Sequence, residues 1–178
     1  GAGFSLQIFG RTKYMPYKIT LKKTEEKRIA AGHGWVYANE VQKIEGKDKN
    51  GLLAAVYSFD GRFLGKGYIN HASKILVRIF IRDNEEDGEE LYRRRITRAW
   101  ETRKRLGYEN CCRVVFAEAD DLPALIVDKY GDILVMQCLS LGIHQRKDMI
   151  VRVLTEIFRP AGIYERSDVS VREKEGLP

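Results

Sequence analysis

Residues 73–107 read SKILVRIFIRDNEEDGEELYRRRITRAWETRKRLG, and the change of period inside this stretch decides how the chain divides. Ile75, Val77, Ile79 and Ile81 alternate with Lys74, Leu76, Arg78, Phe80 and Arg82, which is the period of a strand. From Asp87 the period becomes helical, with Tyr92, Ile96, Ala99, Trp100 and Leu106 on one stripe. Acidic residues crowd the start and Arg and Lys the end, which suits the helix dipole. Asp87 with Glu90 predicts a capping box, and Gly107 is placed to stop the helix. A β-rich region therefore ends near residue 83, and a helix carries the chain to 107.

Working back from that boundary, YKITL at 17–21 alternates as a half-buried strand. KKTEEKRIAAG at 22–32 predicts one short helix, capped by Thr24 and stopped by Gly32. WVYANEVQKIEG, LLAAVYS and RFLGKGYI supply brief strands, with KDKNG as a turn cluster and Asp60–Gly61 as a hairpin turn. Five or six short strands and one small helix predict a small barrel over 17–83. Residues 1–16 fit poorly with this pattern, contain Met15, and are set apart as a leader.

Working forward, CCRVVFAEADDLP, ALIVDKYGDILVMQCLS and GIYER supply strands, and HQRKDMIVRVLTEIFRP supplies an amphipathic helix closed by Pro160. The order β-β-β-α-β over 108–178 predicts a small α+β domain. The expected fold class is thus α+β: a small barrel, a linker helix at 84–107, and a second small domain.

Composition narrows the function. The net charge of +6 is uneven: residues 1–82 carry +9, 83–107 carry 0 and 108–178 carry −3. Such asymmetry points to a polyanion-facing first half, although a basic surface that only aids solubility gives the same count. No apolar run approaches the roughly 20 residues that span a bilayer, so no membrane association is expected. Three cysteines at odd number predict reduced thiols and a cytoplasmic setting.

The catalytic inventory is thin. No glycine-rich dinucleotide or P-loop motif lies between a strand and a helix, and His33, His71 and His144 lack a spaced metal-ligand partner. Asp120–Asp121 reads more economically as a loop than as an acid–base pair. Cys111, Cys112 and Cys138 read as packing residues, because a nucleophilic thiol needs a local positive field. Glu165–Arg166–Ser167–Asp168 is the densest polar cluster at a strand end, and a salt-bridged turn accounts for it as well as function does.

Nucleic-acid signals are stronger. GHGWVYANE places Trp35 and Tyr37 after the basic helix, and GKGYINHASK combines Lys66, Tyr68, Asn70, His71 and Lys74 with glycines. Lys and Arg neutralise phosphates, and aromatic and amide groups meet unstacked bases. The competing reading makes Trp35 and Tyr68 core residues, and it makes Arg93–Arg95 a solvated helix face.

LKKTEEKRIAAGHGWVYANEV and DGRFLGKGYINHASKILVRIFIRD resemble the N-terminal PUA domain of the SAM-dependent methyltransferases that make 5-methylcytosine in large-subunit ribosomal RNA. EADDLPALIVDKYGDILVMQCLSLG and GIYERSDVSVREKEGLP resemble the central domain of the same enzymes. The resemblance spans residues 17–178. It departs at His33–Gly34–Trp35, where the family has His-Pro-Trp, and at Ala119 and Asp121, where the family has glycines.

The resemblance implies an RNA-recognising portion of such an enzyme, ending before its Rossmann-type catalytic domain. It implies S-adenosylmethionine as cofactor of the longer enzyme, none held by this chain, and no catalytic or metal-binding residue within it. Ribosomal RNA is the implied partner, and a homodimer is an allowed assembly. Lys22, Lys27, Arg28, Lys66, Asn70, His71 and Lys74 are the expected RNA contacts, with Arg166 and Asp168 lining the catalytic cleft. The alternatives are a stand-alone RNA-binding protein acting in ribosome assembly and a basic interaction module without an RNA role.

Overall fold

The structure is a computed structural model and describes residues 17–46, 50–83, 85–166 and 168–178. The expected leader at 1–16 and the centre of the 47–51 turn cluster lie outside the described residues. The first unit is a six-stranded sheet in the order β2-β6-β5-β4-β1-β3. Its strands are β1 (Tyr17–Leu21), β2 (Trp35–Tyr37), β3 (Val41–Glu45), β4 (Leu53–Tyr57), β5 (Phe63–Ile69) and β6 (Ile75–Ile81). The two edge strands, β2 and β3, are consecutive in the chain and joined by a single turn of 3-10 helix at Ala38–Glu40. A connection that short obliges the sheet to curl until its edges approach. Helix α1 (Glu26–Ala30) closes the curl by burying Ile29 among Ile19, Leu21, Val36, Val56 and Val77.

The second unit is a four-stranded sheet in the order β10-β9-β8-β7, from β7 (Cys111–Phe116), β8 (Leu125–Tyr130), β9 (Ile133–Cys138) and β10 (Gly162–Glu165). β7, β8 and β9 run antiparallel, and β10 returns parallel to β9 after two helices. Those helices are α3 (Leu141–His144) and α4 (Lys147–Phe158), preceded in the chain by α2 (Glu89–Arg105). α4 buries Ile150, Val153 and Leu154 and ends at Arg159, just before Pro160.

Several expectations change here. Thr24 makes no cap; it sits at φ +78°, and Glu25 occupies the cap position without a side-chain bond. Asp87 does not cap α2 either, because Gly88 holds that position and the Asp87 carboxylate is engaged elsewhere. Leu106 is 66% exposed and lies outside the packed stripe, whose buried members are Leu91, Tyr92, Arg95, Ile96 and Ala99. Gly107 does follow the helix end, at φ +80°.

The largest change concerns the linker. Helix α2 packs on α4 and β7, and its buried stripe belongs to the core of the second unit. Tyr68, Phe80 and Ile81, from strands of the first sheet, belong to that same core. β6 therefore begins in one core, with Leu76, Val77 and Ile79, and ends in the other. This double duty explains why its second face carries Phe80 where alternation alone would place a polar residue. A chain read as barrel, linker and separate domain is in fact continuous through this junction.

Asp87 stands at the centre of the junction. It accepts from the Tyr68 hydroxyl at 2.5 Å and from Arg146 Nη2 at 2.9 Å. The Tyr92 hydroxyl lies 2.7 Å from that of Tyr68. Since Tyr68 gives its one proton to Asp87, Tyr92 must be the donor in that pair. Burial pushes both phenols well above their ordinary range. The Arg146 guanidinium stacks 3.7 Å from the centre of the Tyr68 ring and also donates to the carbonyls of Gly51 and Gly142. Gly142 allows this approach, because a Cβ there would stand 2.4 Å from the Tyr68 ring.

Removing one member of a largely buried ion pair leaves the other uncompensated, whereas losing a helix cap costs only about 1 kcal/mol. Asp87→Ala is expected to destabilise the protein by about 3 kcal/mol in urea unfolding. Glu90→Gln, which alters only the exposed member of the supposed capping box, should stay within about 0.5 kcal/mol of wild type. Equal effects of the two substitutions would mean that Asp87 acts as a cap after all.

A candidate nucleic-acid interface

Between the two units lies a cleft of about 370 Å³. One wall comes from the Gly32–Gly34 loop and the end of β6, the other from α2 and the loop at 117–123. Four arginines line it: Arg82, Arg94, Arg95 and Arg98. They divide by burial and partner. Arg82 donates to the carbonyls of Ile29, Gly32 and His33 at 2.9–3.0 Å and so ties off the end of α1. Arg95 is buried, donating to the Asp121 carbonyl at 2.5 Å and to Glu85 at 2.8 Å, with its guanidinium facing the Phe80 ring. Burial lowers the pKa of both groups while the Asp121 carboxylate raises it, and a guanidinium remains charged throughout.

Arg94 and Arg98 are different. Both are more than half exposed, and they pair with Glu85 and Asp121 respectively. The Arg98–Asp121 pair is exposed on both sides and contributes only about 0–1 kcal/mol, so a phosphate can take Arg98 from its carboxylate, whereas Arg94 shares the half-buried Glu85 with Arg95. Arg93, the remaining member of the basic run, turns away to Glu89, Glu90 and Glu156 on the helical face. The run therefore splits, with two residues in the cleft and one in a salt-bridged surface.

The loop at 117–123 accounts for the paired aspartates. Asp120 receives a bidentate contact from Arg103, both bonds 2.7 Å, and also accepts from the Phe116 N–H. Asp121 sits at φ +57°, a left-handed conformation that aspartate tolerates better than most residues. Glu118 reaches across to the first unit and accepts from Trp35 Nε1 at 2.8 Å. These carboxylates position elements and leave no pair free for acid–base work.

The expected RNA contacts fall into three places. Lys22, Lys27 and Arg28 cluster at α1, where Lys22 donates to the Asn39 carbonyl and Arg28 pairs with Glu40. Lys66 is half-buried and donates to the Glu85 carbonyl, beneath the cleft. Asn70, His71 and Lys74 lie at the β5–β6 turn. Asn70 is withdrawn from the set, because it is buried and donates to Glu175 through both its carbonyl and its carboxylate. His71 and Lys74 are exposed. Arg166 and Asp168 pair with each other at 3.0 Å beyond β10 and do not line the inter-unit cleft; Ser167 between them is outside the described residues. Arg94 and Arg98 were legible only as part of a charged helix face, since nothing local marks which side meets a cleft.

Among the described residues no group of His, Cys, Asp and Glu could hold a metal ion, and no helix is long and apolar enough to cross a membrane. The cysteines are not all packing residues: Cys111 is exposed on the edge strand β7, Cys112 is half-buried and Cys138 is buried. Burial pushes the Cys138 thiol up to about 12, with the Glu165 carboxylate adding to the effect, and raises Cys112 as well. Titration of the native protein with an aromatic disulfide at pH 8 should modify Cys111 first, Cys112 more slowly, and Cys138 only on unfolding. Rapid modification of Cys138 in the native state would contradict its burial.

Comparison with known proteins adds three findings. Residues 19–82 match the family described as PUA-like domain. The chain is 42% identical over 168 residues to ribosomal RNA large subunit methyltransferase I of Shewanella amazonensis, covering 92% of this chain and 42% of that protein. It is 37% identical over 166 residues to the protein of the same name from Vibrio cholerae, covering 89% and 41% respectively. The chain thus spans about two fifths of the length of these relatives. Among solved structures, SMU.776, assigned as a methyltransferase and solved with SAH, matches with a TM-score of 0.74 at 17% identity. A structure assigned as a SAM-dependent methyltransferase from Streptococcus mutans matches at 0.73 and 17%. Each covers 86% of this chain, and the chain covers 40% and 41% of them.

These matches correct the expected fold class. That expectation was a small barrel, a linker helix and a small β-β-β-α-β domain, with the Rossmann-type domain counted as absent. Instead, 86% of the chain is laid out as a continuous part of structures assigned as methyltransferases. The fold is therefore that of the matched part of those structures.

Proposed function

We propose that this chain is the RNA-recognising portion of a SAM-dependent methyltransferase that modifies cytosine C5 in large-subunit ribosomal RNA. Two exposed arginines, Arg94 and Arg98, line the inter-unit cleft, the second in an exposed pair weak enough to yield to phosphate, and this observation carries the reading. The names of the relatives, at 42% and 37% identity, support large-subunit ribosomal RNA as substrate and methylation as reaction, while cytosine C5 rests on the sequence resemblance alone. The match to a PUA-like domain supports RNA recognition by the first unit.

In this reading Lys22, Lys27 and Arg28 at α1, Lys66 below the cleft, and His71 and Lys74 at the β5–β6 turn add phosphate contacts outside the cleft. Arg166 and Asp168, paired at the exit of β10, line the catalytic cleft in this reading. S-adenosylmethionine supplies the methyl group. The chemistry requires a cysteine thiolate to add to cytosine C6, opening the C5=C6 bond so that C5 can take the methyl group, and to be expelled when C5 then loses its proton. Cys138 is unsuited to that role because its thiol is buried and held protonated. The chain's own contribution is to grip RNA and stabilise the extruded base. Methyl transfer is not expected of it alone.

The test is fluorescence anisotropy with a labelled hairpin from large-subunit rRNA across a salt series. Log K should fall linearly with log salt, and Arg98→Ala should reduce the slope by about one. Incubation with radiolabelled S-adenosylmethionine should leave the RNA unlabelled. Absence of binding at low salt would overturn the RNA reading, and labelled RNA would overturn the purely recognising role.

A further inference from the structure

Of the two tryptophans, Trp35 is the one that neither core claims. It lies on β2, an edge strand paired antiparallel with β6, and its neighbour Val36 is fully buried in the first core. The strand's burial pattern places Trp35 and Tyr37 opposite the face of Val36, about 6.5–7 Å apart along the strand, with the pairing to β6 shifting register between Val36 and Tyr37. Both are half-buried. A large apolar ring left outside the cores is ordinarily mobile, but this one is fixed by polar contacts at its rim. Its Nε1 donates to Glu118 at 2.8 Å, and the His33 ring meets it edge-on at 5.7 Å. His33 is itself held, since its Nδ1 accepts from the Trp35 backbone N–H at 3.1 Å.

Each ring also carries a cation. The Arg78 guanidinium stands 5.5 Å from the Trp35 ring and is anchored to Glu175 at 2.9 Å. Arg28 stands 5.3 Å from the Tyr37 ring. The strip is continuous with the arginine cleft, because Gly34 and Glu118, which flank Trp35 in sequence and in space, both line that cleft.

We infer that the outer face of β2 is a stacking site for unpaired RNA bases, with Trp35 as its main platform and Tyr37 as its second. Phosphates occupy the cleft and the bases that follow turn out onto the strip. Rigid aromatic rings beside guanidinium groups are what unstacked bases seek, and one base on an aromatic ring contributes about 1–3 kcal/mol. The site rests on the RNA-binding reading above and deepens it by assigning single-stranded, base-bearing RNA as its ligand.

The chain has two tryptophans, so Trp100→Phe leaves Trp35 as the only indole reporter. That protein is titrated with a single-stranded RNA oligonucleotide, with a strand of equal length lacking bases, and with inorganic polyphosphate. Anisotropy of labelled strands reports binding, and Trp35 fluorescence reports stacking. Base-bearing RNA should quench Trp35 along the binding isotherm, while the abasic strand and polyphosphate bind without quenching. Trp35→Ala should weaken binding of base-bearing RNA about tenfold and leave the abasic strand unaffected, while Trp35→Phe should retain part of the affinity. RNA that binds without quenching, or an abasic strand that quenches equally, would overturn the stacking site and leave the RNA reading intact. No binding by any strand would overturn both.

Discussion

The carboxylate of Asp87 holds a phenol from the first sheet and a guanidinium from the helical layer of the second unit at once, and the remaining geometry depends on it. Through Tyr68 it reaches β5, and through Arg146 it reaches the segment between α3 and α4. The Tyr92 hydroxyl completes the chain of donors from inside α2. Such an arrangement is stabilising only when every donor is placed, because an unpaired charge in a dry junction costs several kcal/mol. The same condition makes it specific, since few orientations of the two units satisfy all its members together.

Two other acidic residues repeat the device at the periphery. Glu118 reaches from the 117–123 loop to Trp35, and Glu175 reaches from the 3-10 turn at Glu173–Glu175 to Asn70, Ser73 and Arg78. All three carboxylates belong to the part of the chain whose net charge is zero or negative, and all three draw on arginine cations, Asp87 on Arg146 and the other two on Arg78. The uneven charge along the chain thus serves first to join the units. What remains of that excess for a polyanion is above all the lysines at α1, to which the net-neutral helix α2 adds the exposed Arg94 and Arg98. The cleft and the outer face of β2 are held in register by these same contacts, so the candidate interface is preformed.

Much of this was legible in local sequence, and the rest was not for identifiable reasons. The strand at Tyr17–Leu21, the turn at Asp60–Gly61 and the 17-residue helix at Glu89–Arg105 followed from period and turn chemistry. Asp87 was misread because a helix start with Glu90 three residues on looks like a capping box, and the competing partners lie 19 and 59 residues away. Asn70 was misread for the same cause, since its partner Glu175 is 105 residues distant. Trp35 pointed toward the core by composition, and only the burial of Val36 shows that it faces out. The helix at 84–107 looked like a linker because a stripe of apolar residues does not say which sheet it will cover. Each misreading concerns a long-range contact, on which local pattern is silent.

The central claim is that the two units form one cooperative body, and urea unfolding of single-tryptophan proteins tests it most directly. Trp35 reports the first unit in Trp100→Phe, and Trp100 reports the second in Trp35→Phe, each compared with the circular dichroism of the same variant. Fluorescence and dichroism should give one midpoint and one slope within each protein. A tryptophan transition well separated from the dichroism change would show that the units unfold independently, and that the junction at Asp87 does not bind them into one structure.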